Sequence, residues 1–247
     1  MPRYKALLFD LCDTLVTLNF SKLPTVAVNG QSIRSTSGLI YAVLQESYPK
    51  ITFDKFYSVM SETTHQLHLV RDQEQREITS EHRFQKILER LDLHQAPNTS
   101  GLLSRMLSTH TEQIIQMMEF PESHRLLLEA CHERYRIGMI SNFDHATTVY
   151  GVLDRQGVRD LFEEILISAE VGWRKPRREI FQATLDRMQI DPADALFIGD
   201  RQEIDVVGAK QIGMAAVWLN PEDQPVRHDL LPPDHVIGSL SDLVKIL

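Results

Sequence analysis

The apolar run Lys5-Ala-Leu-Leu-Phe-Asp10 is separated by more than a hundred residues from any segment that resembles it. Its apolar residues are consecutive rather than alternating, as in a strand buried on both faces of a parallel sheet, and the run ends in a carboxylate. The next short apolar runs of this kind come only after Phe120. The sheet that takes in residues 5–10 must therefore be built from the distant half of the chain, with the intervening residues set aside as an insertion.

That intervening segment has a different period. Residues from about Thr17 to Gln31 read as irregular, with Pro24, Asn29 and Gly30 as punctuation. From Ser32 to Glu119 apolar residues recur at i, i+3 and i+4, as in Leu39/Val43/Leu44, Phe53/Phe56/Met60, Phe84/Ile87/Leu88 and Leu102/Leu103/Met106. Each stripe predicts an amphipathic helix that buries one face. After Phe120, strands alternate with helices: strands at 136–141, 163–168, 195–199, 215–219 and 235–237, helices at 122–134, 144–155, 177–188, 202–212 and 241–247. Such alternation predicts right-handed βαβ units on a parallel sheet. The expected fold is α/β, a Rossmann-like core from residues 1–16 and 119–247 with an all-helical domain inserted over 17–118.

Composition narrows the function classes. A net charge of −8 with no basic run argues against a nucleic-acid partner. No stretch of 18 apolar residues suggests a membrane span, and the apolar run after Met1-Pro2-Arg3 is too short for a signal peptide. Two cysteines, Cys12 and Cys131, make no disulfide framework. A cytoplasmic protein, monomer or homodimer, is expected.

The chemistry gathers at strand ends. Asp10-Leu11-Cys12-Asp13-Thr14, Ser141-Asn142, Arg174-Lys175-Pro176 and Gly199-Asp200-Arg201, with Asp205 beyond, each follow a predicted strand. In a doubly wound sheet these ends meet along one edge. Carboxylates from Asp10, Asp200 and Asp205 around one point need a cation between them, and few hard oxygen ligands suit Mg²⁺. A carboxylate kept ionised there can attack a phosphoryl group, with lysine, hydroxyl and amide donors stabilising the charge that develops.

In order and in position, these four segments resemble the motifs of the haloacid dehalogenase (HAD) superfamily, in its subfamily with a helical, C1-type cap. The resemblance implies a hydrolase: an Mg²⁺-dependent phosphatase of a small phosphorylated metabolite, working through an aspartyl-phosphate. Carried over by position, Asp10 is the nucleophile. Asp10, the backbone carbonyl of Cys12 and Asp200 hold the metal, with Asp205 supporting metal or lysine. Thr14, Ser141 and Asn142 orient the phosphate and nucleophile, and Lys175 offsets negative charge. The cap is expected to open and close over Asp10.

One position departs from the pattern. Where the family's phosphatases carry a second aspartate, the general acid and base, this chain has Cys12, and Asp13 follows where glycine is usual. A thiol, mostly protonated at neutral pH, is a poor substitute. Either Asp13 or a cap residue supplies the proton, or the leaving group needs none. Two alternatives stand behind the phosphatase: a 2-haloacid dehalogenase, disfavoured by Asp200, and a phosphate- or partner-binding module with weak catalysis. Elsewhere, His65, His68 and Arg71 recur every three residues and read as a wet helix face, and Cys131 reads as core.

Overall fold

The computed structural model describes residues 3–95 and 98–247; Met1, Pro2, Ala96 and Pro97 lie outside the described residues. Two compact units result. One takes the chain up to Leu18, then Glu119–Phe143 and Leu153–Leu247; the other takes Asn19–Met118 and Asp144–Val152. In the chain, the two-residue strands β2 (Thr17–Leu18) and β5 (Met118–Glu119) stand where the first long excursion begins and ends.

The α/β unit is built on a six-stranded sheet of β1 (Ala6–Phe9), β6 (Arg136–Ser141), β7 (Glu164–Ile167), β8 (Ala195–Gly199), β9 (Ala215–Leu219) and β10 (His235–Ile237). Every pairing is parallel, in the order β10-β9-β8-β1-β6-β7. β1 is thus central: Leu7 registers with Ile137 on one side and Leu196 on the other. The chain leaves β1 for β6 and β7, then crosses to β8 and moves outward the other way. That reversal opens a crevice at the carboxyl end of β1.

Side chains on one face of the sheet, Leu8, Ile140 and Phe197, pack with Phe181, Leu185 and Met188 of α8 (Arg178–Met188) and Ala209 of α9 (Val207–Gln211). Phe181 meets Phe197 edge to face at 5.1 Å. Burying each such side chain contributes roughly 1.5–3 kcal/mol. α5 (Glu122–His132) buries Cys131, as its place on the apolar face predicts. α7 is a single turn, Ser168–Val171. Residues 202–212, expected as one helix, form a π-helical turn over Gln202–Val206 followed by α9. The expected terminal helix is a 3₁₀ segment, Leu240–Lys245.

The helical unit contains α1 (Ser37–Ser47), α2 (Phe53–Glu74), α3 (Ser80–Arg90) and α4 (Thr99–Met117). Thr52 and Thr79 cap the amino ends of α2 and α3 by accepting from Lys55 N and His82 N. Ile40, Leu44, Phe56, Phe84, Ile87, Leu102 and Met106 form its core. Two expectations need correction. The segment read as irregular holds a hairpin, β3 (Thr25–Val28) and β4 (Gln31–Arg34), joined by Asn29 and Gly30 at φ 50° and 76°. Both turn residues are left-handed, as a type I′ hairpin requires. Residues 144–152, assigned from sequence to the α/β core, cluster with the helices. Asp144 accepts from Ser80 Oγ and pairs with Arg83, and His145 Nδ1 lies 3.1 Å from Thr111 Oγ1. These residues include the first turns of α6 (Ala146–Gln156). Among the described residues, no helix is long and apolar enough to cross a membrane.

Candidate active site

β1 continues its ladder one residue beyond its end: Asp10 N donates to Ile198 O at 2.9 Å. The Asp10 side chain is thereby delivered to the crevice, 10% exposed. The chain then turns sharply. Leu15 N and Val16 N both donate to Leu11 O, and Asp13 N donates to Val16 O. Asp13 adopts φ 56°, a left-handed conformation that aspartate tolerates better than most residues. Thr14 Oγ1 lies 3.4 Å from Asp10 Oδ2, a long hydrogen bond.

The other strand ends converge on the same place. Asn142, just beyond β6, donates through Nδ2 to Lys175 O at 2.9 Å and accepts at Oδ1 from Lys175 N at 2.8 Å. This clamp fixes the backbone from which Lys175 reaches inward. Its ammonium lies 2.5 Å from Asp10 Oδ1 and 2.8 Å from Asp205 Oδ1, and 5.2 Å from the Phe197 ring centre. The residue is 3% exposed. Asp205 Oδ2 accepts from Arg201 N at 3.0 Å. A β-carbon on Gly199 would fall 2.4 Å from Asp205 Cγ, so only glycine leaves room for that carboxylate. Asp200 is placed by its own carbonyl, which accepts from Trp218 Nε1 at 2.8 Å.

Carboxylate oxygens of Asp10, Asp200 and Asp205 all lie within 4.8 Å of one another. One lysine does not balance three such acids. Burial pushes the Asp10 carboxyl up to about 6, with Lys175 pulling down and Asp205 pushing up. Burial, then Asp10 and Asp205, push Asp200 up to about 8. Burial alone would lower the Lys175 ammonium, but Asp10 and Asp205 outweigh it and hold it above its ordinary value. Burial drives the Cys12 thiol well above its ordinary range, and Asp10 adds to the rise, so it is neutral near pH 7. The site thus has a surplus of carboxylate that a further cation would relieve. Its side-chain oxygen donors are those preferred by a hard divalent ion.

Of the residues singled out from sequence, Asp10, Cys12, Asp13, Asn142, Lys175, Asp200 and Asp205 line one cavity of about 180 Å³. Thr14 and Ser141 are not on its wall; each is 1% exposed. The wall also includes Arg174 and Arg201, to which the sequence reading gave no role. The signal was adjacency: each directly neighbours a motif residue at a strand end.

Over its full length the chain is 29% identical to a glyceraldehyde 3-phosphate phosphatase of Pyrococcus furiosus, covering 94% of that protein. It is 32% identical over 62% of its length to haloacid dehalogenase-like hydrolase domain-containing protein 3 of Bos taurus, covering 59% of it. The fold matches a 2-haloacid dehalogenase structure from Pseudomonas syringae pv. Tomato with TM-score 0.74 and 22% identity, over 98% of this chain and 97% of that one. The family model for haloacid dehalogenase-like hydrolases matches residues 4–213. With that span and an α/β core whose strand ends carry the expected acids, the chain belongs to the haloacid dehalogenase-like hydrolases.

Proposed function

We propose that this hydrolase is a phosphatase of a small phosphorylated metabolite, with Asp10 as the nucleophile. The observation that carries the reading is the Lys175 ammonium held between Asp10 and Asp205, with Asp200 completing a triad of acids. Lys175 engages Oδ1 of Asp10, which leaves Oδ2 for attack on phosphorus. The phosphorus–ester oxygen bond breaks as the Asp10–phosphorus bond forms, and the departing alkoxide takes a proton. Water then attacks the phosphorus, the bond to Asp10 breaks, and phosphate leaves.

Asp10, Asp200, the Cys12 carbonyl and, in support, Asp205 would hold Mg²⁺. When bound, the ion neutralises phosphoryl oxygens and keeps Asp10 ionised. Lys175 contributes the second positive charge. Asn142 acts as a positioning residue, its amide committed to the Lys175 backbone. Thr14 orients Asp10 through Oδ2, and Ser141 supports the phosphate-binding end of β6. We assign proton transfer to Asp13, which is exposed and shares the cavity, rather than to the neutral Cys12 thiol. The glyceraldehyde 3-phosphate phosphatase relatives favour a short sugar phosphate as substrate. A cytoplasmic monomer or homodimer remains the expected setting.

The test is phosphate release from glyceraldehyde 3-phosphate, other sugar phosphates, nucleotides, acetyl phosphate and p-nitrophenyl phosphate, with Mg²⁺ and with EDTA. Mg²⁺-dependent release that is lost in Asp10→Asn is expected. Turnover of none of them, or turnover that survives Asp10→Asn, overturns the reading. Halide release from 2-chloropropionate in EDTA would replace it with attack on carbon.

A further inference from the structure

A second cavity of the α/β unit, about 350 Å³, adjoins the catalytic one: Asp13 and Asp200 stand on the walls of both. Its volume falls within the roughly 300–1,000 Å³ typical of small-molecule sites. The rest of its wall is Thr17 and residues 218–222 and 224, the end of β9 and the loop that follows it. That loop carries none of the motif residues and has no part in the reaction drawn above.

The loop is nonetheless tied down at several points. Asn220 N extends the sheet by donating to Ile237 O at 2.8 Å. The Asn220 side chain, in a residue only 7% exposed, donates through Nδ2 to Gln224 O at 2.9 Å and accepts at Oδ1 from Gln224 N at 3.0 Å. Gln202, 2% exposed and two residues beyond Asp200, grips the loop further on: Oε1 accepts from Arg227 N at 2.9 Å and Nε2 donates to Arg227 O at 3.0 Å. The wall is therefore fixed to the same turn that carries Asp200. On it, Gln224 Nε2 donates to Glu222 Oε2 at 2.8 Å, which leaves Oε1 of this exposed carboxylate open.

Charge is divided between the two cavities. Lys175, Arg174 and Arg201 are on the wall of the first. The second has the carboxylates of Asp13, Asp200 and Glu222 and, among the described residues, no lysine, arginine or histidine. A phosphoryl anion thus meets cations on one side, whereas a further anion on the other side meets only acids. Hydroxyl groups there find acceptors, and Leu219 and Pro221 give a carbon chain apolar surface. Asp13, the proton donor assigned above, borders both spaces, as the oxygen between a phosphoryl group and its leaving group must.

We propose that this second cavity receives the leaving group, and that it selects uncharged, hydroxyl-bearing alcohols against those that carry a carboxylate, with Glu222 discriminating between them. The proposal rests on the phosphatase reading and places part of substrate choice on the α/β unit itself.

Glycerol 3-phosphate and 3-phosphoglycerate, esters of like length whose leaving groups differ in charge, test it, with p-nitrophenyl phosphate reporting the phosphatase alone. With Mg²⁺, kcat/KM should be at least about tenfold higher for glycerol 3-phosphate, since like charges a few ångströms apart repel by that much or more. Glu222→Lys should cut this ratio by at least about tenfold, and Glu222→Gln should cut it less. A substitution that merely loosened the loop would slow both esters and leave their ratio alone. If p-nitrophenyl phosphate is hydrolysed, equal or reversed preference, or an unchanged ratio in folded Glu222→Lys, overturns the proposal and spares the phosphatase. Turnover of no ester overturns the phosphatase instead. Calorimetry with Asp10→Asn and Mg²⁺ then reads the cavity without catalysis: glycerol 3-phosphate should bind at least about tenfold tighter than 3-phosphoglycerate. Equal or reversed affinity, or no binding of either at about 10 mM, overturns the proposal.

Discussion

Asn142 and Lys175 are bound twice over, each giving a hydrogen to the other: Nδ2 to carbonyl at 2.9 Å and backbone N to Oδ1 at 2.8 Å. The two residues are 33 apart in sequence, yet this ring sets where the site's lysine begins. A side chain amide serves here as a backbone mimic, completing a short stretch of pairing between two strand-end loops.

Replacing Asn142 with Ala should therefore mislay Lys175 without removing any charge. A displacement near 1 Å at a reacting group costs up to ~100-fold in rate, so kcat should fall ~10–100-fold. Steady-state kinetics on the best substrate checks this. A variant as fast as the parent would show that the clamp does not position the ammonium.

Gly199→Ala strikes the same centre from the opposite side. Its β-carbon would press on Asp205 Cγ at 2.4 Å, and Asp205 is one of two carboxylates on Lys175. Overpacking of this kind typically costs about 1–3 kcal/mol. We expect a Tm lower by several degrees and at least about tenfold less activity, from a substitution that changes no functional group.

The proposed mechanism uses the carbonyl and the bulk of Cys12, not its sulfur. Cys12→Ala should hold kcat within about threefold, whereas Asp13→Asn should lose ~10²–10⁴ on substrates with poor leaving groups. The loss should shrink for p-nitrophenyl phosphate, whose leaving group needs little protonation. A dead Cys12→Ala with intact Asp13→Asn would reverse the assignment.

Metal should show itself in stability before any turnover is measured. At [Mg²⁺] 100-fold over its Kd, binding stabilises by ~2.7 kcal/mol, worth roughly 5–10 °C in a chain of this size. Asp200→Asn should erase most of that response, and in EDTA it should be the more thermostable form because it removes the burial of a carboxylate and, second, its repulsion with Asp10 and Asp205. Differential scanning fluorimetry with and without Mg²⁺ decides both points.

In the helical unit, burial first and Arg83 second push His110 down to about 4. Unfolded, it titrates near 6.5. Above that pH neither state is protonated and the residue contributes nothing. As pH falls from 6.5 towards 4 the unfolded chain takes up a proton that the folded one refuses, so stability is lost across that window, on the order of 3 kcal/mol in all. Burial lowers His68 and His145 in the same direction. Urea midpoints should drop between pH 8 and pH 4.5, and His110→Gln should flatten the slope; parallel slopes would contradict this.

What the sequence disclosed, and what it kept back, follows from which interactions are local. Strands such as 136–141 and 195–199 were legible to the residue because they are short, apolar and bracketed by polar neighbours. The helices were legible from period. The hairpin around Asn29-Gly30 was read as irregular chain, although that dipeptide between Thr25–Val28 and Gln31–Arg34 is itself a type I′ turn signal. Nothing local reveals that Lys175 is buried; its burial comes from Asp10, 165 residues away, and from Asp205. Nor does period reveal a helix's partner, so Asp144–Val152, which cluster with the helices, were assigned to the α/β core. The π turn at Gln202–Val206 has no sequence mark that distinguishes it from an ordinary first turn.

The central position of β1 has a further consequence, for synthesis. Its neighbours are registered at Arg136 and Ala195, so a ribosome must add nearly the whole remaining chain before the first-made strand gains its second edge. At ~5–20 residues per second, that is roughly ten to forty seconds before Ala6–Phe9 can be paired on both edges. The helices of Ser37–Met117, with the core they share, emerge during that wait. Birth order thus runs against architecture: the central strand, made before its neighbours, waits longest for both of them.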